Sequence, residues 1–118
     1  GADMIFPEGL TSEREFSEFA VELRRAVEPG LRYFLLANMT EFGKTPIIPL
    51  QRFGELGYSI VIYPVTMLRV AMGAVADALS TLKETGSVES LLPEMQTREE
   101  LYAAIGYKPG VEWRFPPR

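Results

Sequence analysis

Residues 35–46, Leu35-Leu36-Ala37-Asn38-Met39-Thr40-Glu41-Phe42-Gly43-Lys44-Thr45-Pro46, run from an apolar segment straight into side chains able to bind a carboxylate or a metal-bound water. The stretch reads as a buried strand, Tyr33 to Met39, that empties into an active-site loop. Side chains alternate faces along a strand, so Asn38 and Thr40 share a face with Phe34 and Leu36. If that face lines a barrel, both polar groups sit at its mouth.

The same unit recurs on either side. Met4-Ile5-Phe6-Pro7-Glu8 is a short apolar run ending in an acid, and Ser12 with Glu15 has the spacing of a capping box that opens a helix. Phe16, Phe19, Ala20 and Leu23 give that helix one apolar stripe, and Pro29-Gly30 closes it. After the central strand, a short helix is expected around Leu50 to Leu56 with Gly57 as its stop. Tyr58 to Val65, reading YSIVIYPV, is apolar on both faces, the pattern of a parallel strand covered on each side. Leu68, Ala71, Val75, Ala78, Leu79 and Leu82 then make a long helical stripe running to Gly86. Three strand–helix rounds about 25 to 30 residues apart argue for parallel β/α architecture with right-handed crossovers. Three rounds cannot close an eight-stranded ring, so the expected fold is α/β, the C-terminal part of a parallel, TIM-type β/α barrel with extra C-terminal helices. A small open sheet with helices on both faces is the alternative.

The extra helices begin with Val88, Leu91, Leu92 and Met95, interrupted by Pro93, and continue with a capping box, Thr97 with Glu100, for a helix ending near Gly106. Residues 1–107 are therefore read as the barrel part with its helical extension, and 108–118, with the Pro-rich end Trp113-Arg114-Phe115-Pro116-Pro117-Arg118, as an extended or disordered tail.

Composition narrows the chemistry. The 118 residues are 47% hydrophobic and 24% charged, which suits one soluble globular unit. A net charge of -4 leaves no electrostatic footprint for nucleic acid or anionic lipid. No apolar run approaches the roughly 20 residues that span a bilayer, so no membrane partner and a cytoplasmic location are expected. Histidine and cysteine are both absent. Chemistry within these residues must rest on carboxylates, Arg, Lys, Tyr, Asn and Thr.

In β/α barrels functional groups gather at the carboxyl ends of strands, where Glu8 and then Asn38 with Thr40 fall in successive units. Against this stand plainer roles: a solvated acid or helix-dipole partner for Glu8, and turn chemistry for Asn38 and Thr40. Glu41 reads either as a second acid or as an exposed one, and Lys44 as a solvated loop cation. Arg69, on the first turn of the third helix, opposes the helix dipole and needs an anion, either a bound carboxylate or a glutamate. Arg98 invites the same two readings, and spacing favours the plainer one. The aromatic residues are assigned to packing.

Together, the segments GADMIFPE, LLANMTEFGKTP, IVIYPVTMLR and MQTREELYAAIGY resemble the methylisocitrate lyase branch of the isocitrate lyase and phosphoenolpyruvate mutase superfamily. The resemblance covers residues 1 to about 107, and NMTEFGKTP is its most specific piece. It implies a Mg2+-dependent carbon–carbon lyase that splits 2-methylisocitrate into pyruvate and succinate. It carries Glu8 to a catalytic acid near the metal and its waters, with no direct metal ligand among these residues. Asn38, Met39 and Thr40 map to the segment holding the substrate carboxylate, and Arg69 and Arg98 to substrate-binding cations. It further implies a homo-oligomer, commonly a dimer of dimers, with the last helix exchanged between subunits. The family's metal-binding aspartates and cysteine loop would precede these residues, so the chain is expected to be a C-terminal piece inactive alone; its start at Gly1 fits processing or excision. Oxaloacetate decarboxylation and phosphonopyruvate chemistry are alternatives on the same scaffold. From another class comes a noncatalytic half-barrel that assembles through the Leu68–Leu82 stripe and the terminal helices.

Overall fold

The computed structural model describes residues 1–111, so the expectation for the tail beyond them lies outside the described residues. The chain divides into two compact units, Gly1–Gly73 and Ala74–Arg118.

The first unit holds three parallel strands in the order β1 (Met4–Ile5), β2 (Phe34–Asn38), β3 (Ile60–Ile62). Helix α1 (Glu13–Ala26) connects the first two strands and α2 (Leu50–Leu56) the second two. Register pairs Met4 with Phe34, Leu36 with Ile60 and Asn38 with Ile62. The expected parallel β/α pattern is therefore present.

Local chemistry sets the helix ends. Ser12 caps α1 by accepting the Glu15 amide at 3.3 Å, yet the Glu15 carboxylate bonds to the Thr11 amide at 2.6 Å. The reciprocal arm of the expected capping box thus lands one residue early. α1 stops at Ala26, before Pro29-Gly30, because Val27 is already extended at φ -86°, ψ 138°. α2 keeps its expected bounds; Gly57 ends it at φ 93°, a left-handed conformation that a Cβ would strain.

α1 and α2 pack on the same face of the sheet. Leu35, Ala37 and Met39 of the central strand segment are buried against Phe16 and Ala20 of α1, Phe53 of α2, and Ile48 and Tyr58 beside it. Phe16, Phe53 and Tyr58 form an aromatic triangle, with ring centroids 5.1, 5.4 and 5.6 Å apart and all three pairs edge-to-face. Helices on both faces, the alternative raised by the sequence, are not what this unit adopts. The opposite face carries Met4, Phe6, Phe34, Ile60 and Ile62, all exposed, and Phe34 is 49% exposed. The third strand is also shorter than expected, Ile60–Ile62 in place of Tyr58 to Val65, because Tyr58 turns into the core and Pro64 ends the ladder. Phe16, Phe19, Tyr33, Phe53 and Tyr58 pack as expected of the aromatics, whereas Phe6, Phe34, Phe42, Tyr63 and Tyr107 are exposed.

Tyr58 carries a consequence for pH. Its hydroxyl donates to the Phe16 carbonyl at 3.2 Å, and burial pushes its pKa up to about 12. Because the folded value exceeds the unfolded value of 10.0, the neutral phenol's contribution is intact below pH 10 and is lost as pH rises toward 12. Absorbance titration at alkaline pH should show one of the five tyrosines ionising late, together with unfolding. Tyr58→Phe should remove that late step and cost about 1 kcal/mol at neutral pH, measured by urea unfolding.

α3 (Thr66–Thr85) follows the sheet, and its N-terminal part through Gly73 belongs to the first unit. In the second unit a 3-10 helix spans Glu89–Glu94 around Pro93, and α4 (Arg98–Ala104) starts on a complete capping box between Thr97 and Glu100. Among the described residues no helix is long and apolar enough to cross a membrane.

Candidate functional site

Parallel strands present their carboxyl ends together, and here the loops leaving β1 and β2 meet there. Thr45 in the second loop donates its hydroxyl to the Leu10 carbonyl in the first at 2.6 Å, fastening one to the other. Between them lies a cavity of about 320 Å³ lined by Glu8, Thr11, Asn38, Thr40 and Lys44, among others. This volume falls at the lower end for small-molecule sites, a fit for a small acid.

Strand alternation delivers the polar pair. Leu35, Ala37 and Met39 point into the core, so Asn38 and Thr40 point away from it and toward the cavity. The Thr40 hydroxyl donates to Asn38 Oδ1 at 3.0 Å, which orients the amide; among the described residues Asn38 Nδ2 has no acceptor and can donate to a ligand. Met39, assigned by resemblance to the same segment, is 1% exposed, and its Sδ accepts the Ile48 amide at 3.3 Å. Its side chain therefore braces the strand end from the core side and does not line the cavity.

Lys44 is the residue that sequence reasoning set aside. Read as a solvated cation, it lines the cavity opposite in charge to Glu8. No local signal marks it, because the loop is held in place by the Thr45–Leu10 bond across 35 residues.

Arg69 is not among the cavity's lining residues. Its Nη1 donates to the Glu41 carbonyl at 2.8 Å and to Glu41 Oε2 at 2.7 Å, so it grips the loop directly after Thr40. The anion that its position on α3 called for is, within this chain, a glutamate. The Thr66 hydroxyl donates to the other carboxylate oxygen. Thr66, the Glu41 amide and Arg69 together hold the Glu41 carboxyl below the usual carboxylate range. Arg98 belongs to the second unit, where it begins α4 and lines a shallow hollow with Tyr102, Tyr107 and Lys108.

Magnesium prefers several oxygen ligands in octahedral geometry. Among the described residues no group of three or more acids could hold a metal ion, and Glu8 is the single carboxylate lining the cavity. One carboxylate fits contact with a metal's water shell and does not make a cage.

No family model matches the chain. It is 50% identical to the 2-methylisocitrate lyase of Aeropyrum pernix over 107 residues, 91% of this chain and 32% of that protein. The 2-methylisocitrate lyase of Bacillus subtilis matches at 50% over the same share of this chain and 33% of its own. The chain thus spans about a third of the length of the curated relatives it matches. Among solved structures, a 2,3-dimethylmalate lyase, described as a PEP mutase/isocitrate lyase superfamily member, superposes with a TM-score of 0.69 at 32% identity, covering 90% of this chain and 34% of that one. An oxaloacetate acetylhydrolase in complex with oxalate superposes with a TM-score of 0.73 at 27% identity over 90% of this chain and 34% of its own. Over the third that it shares with these proteins, the chain is similar in sequence to the 2-methylisocitrate lyases and in fold to a member of the PEP mutase/isocitrate lyase superfamily.

Proposed function

We propose that these residues are the C-terminal part of a TIM-type β/α barrel with extra C-terminal helices, and that the whole protein cleaves 2-methylisocitrate to pyruvate and succinate. The observation that carries the reading is the meeting of Glu8, Asn38 and Thr40 in one cavity at the carboxyl ends of adjacent parallel strands. Half-identity to 2-methylisocitrate lyases supports the choice of substrate. The solved relatives named for 2,3-dimethylmalate and oxaloacetate keep related acids as the alternatives.

The chain's own residues divide the work. Asn38 Nδ2 and the Lys44 ammonium offer donors to a substrate carboxylate, and such donors stabilise it most where negative charge grows as the carbon–carbon bond breaks. Arg69 supplies a further cation beside the same loop, and Arg98 is a substrate-binding cation by resemblance alone. Glu8 holds the acid position and is the residue here that would face the water shell of a bound Mg2+. When bound, Mg2+ supplies Lewis acidity and a template for the hydroxy-carboxylate end. Its cage would come from outside these residues.

Titrating the chain with succinate and following backbone amides by NMR tests the assignment. Shifts are expected at residues 8–11 and 38–45; shifts scattered over the surface, or none, would count against it. With Mg2+ and 2-methylisocitrate the chain by itself should release no pyruvate, because it has no metal cage among its described residues and no cysteine.

A second reading, assembly, is favoured by α3. Its stripe is uncovered, with Leu68 and Leu79 each 61% exposed, and no residue of the helix is buried. Exposed apolar surface on this scale marks an interface, and a second copy of the chain is the occupant proposed. Sedimentation at micromolar concentration should give dimers or larger species, and Leu79→Glu should shift them toward monomer. A compact monodisperse monomer would end this reading.

A further inference from the structure

Arg69 is held more firmly than an exposed arginine usually is. A guanidinium carries five N–H donors in a rigid fork. Both hydrogens of Nη1 are taken by Glu41, one by its carbonyl and one by Oε2. The second carboxylate oxygen of Glu41 is engaged by Thr66, the first residue of α3, so the carboxylate is itself fixed.

The next residue grips the same cation from its face. Phe42 stands at φ 62°, a conformation a bulky side chain adopts only when its surroundings impose it. Phe42 is 93% exposed, yet the Arg69 guanidinium lies 5.4 Å from its ring centroid. Edge and face contacts thus converge on one guanidinium from two consecutive residues, and both follow Thr40 of the cavity. Every hydrogen bond Arg69 makes among the described residues uses Nη1. Its Nε–Nη2 edge, the one suited to bidentate pairing with a carboxylate, is spared.

We infer that Glu41 is a positioning residue: by occupying Nη1 it locks Arg69 in a single orientation and presents the Nε–Nη2 edge to a carboxylate of the substrate. The inference rests on the functional reading above, in which Arg69 binds substrate, and adds how that arginine is aimed. Glu41 makes no contact with the ligand in this scheme. It competes for nothing the ligand needs, since the two use different edges. Its carboxylate stays charged through the ordinary range near pH 4.5, because its folded value is lowered; the lock is present above that range and lost as pH falls below the folded value.

The test uses the full chain, with succinate as the probe and the Arg69 side-chain N–H signals as a second readout. In the native sequence the Nη1 and Nη2 protons should be resolved, since rotation about the guanidinium is blocked. Glu41→Gln should merge them and weaken succinate binding about tenfold, while Glu41→Asp, which keeps the charge, should stay within about threefold. A fixed signal set from Phe16, Phe53 and Tyr58 confirms that each variant remains folded. Unchanged or tighter succinate binding by Glu41→Gln would overturn the inference alone, the tighter case making Glu41 a competitor. Failure of the native chain to bind succinate would overturn the functional reading, and this inference with it.

Discussion

Phe53→Ala is expected to cost about 3–5 kcal/mol, enough to unfold much of a small domain whose total stability is on the order of 5–15 kcal/mol. Phe53 is 0% exposed and sits at 5.1 Å from Phe16 and 5.6 Å from Tyr58, so its loss opens a cavity on two aromatic neighbours at once. It is also the contact through which α2 holds the buried face of β2. Because that face includes Met39, the end of the strand that carries Asn38 and Thr40 should loosen with it. Urea unfolding followed by circular dichroism measures the effect. A change under about 1 kcal/mol would mean that the core is organised around something other than this triangle.

The second large effect is on chemistry. When the 107 aligned residues replace their counterparts in the Bacillus subtilis 2-methylisocitrate lyase, Glu8→Gln and Asn38→Ala should each lower kcat/KM by about 100-fold or more. The physical reasons differ. Asn38→Ala removes the amide donor that Thr40 orients, so the carboxylate is less well held as it gains charge. Glu8→Gln keeps shape and removes charge, which isolates the acid's electrostatic part. A plainer role as a solvated acid would leave Glu8→Gln near native turnover.

How much of this the sequence made legible follows from where the controlling interactions lie. The order of strands and helices, the Gly57 stop and the Thr97–Glu100 box are local, and they were readable because a helix end is decided within four residues. Asn38 and Thr40 were readable from parity along β2, whereas Glu8 lies in a turn beyond the end of β1 and reaches the cavity from that loop. Lys44 was not, because its approach to the cavity depends on the Thr45–Leu10 tie across 35 residues. Arg69 needed an anion by its place on a helix, yet sequence spacing could not choose between a ligand and Glu41, 28 positions earlier. The length of the third strand was misjudged because an apolar run does not reveal that Tyr58 turns inward to complete an aromatic cluster.

Met4, Phe6, Phe34, Ile60 and Ile62 form an exposed apolar surface beside the polar groups at the strand ends. Such a surface suits the wall of a larger ring of strands. The graft itself, without further substitution, tests this most directly: assay pyruvate release from 2-methylisocitrate with Mg2+ present. A folded enzyme with turnover within about tenfold of the parent is expected. A graft that folds and assembles as the parent does, yet releases no pyruvate, would contradict it.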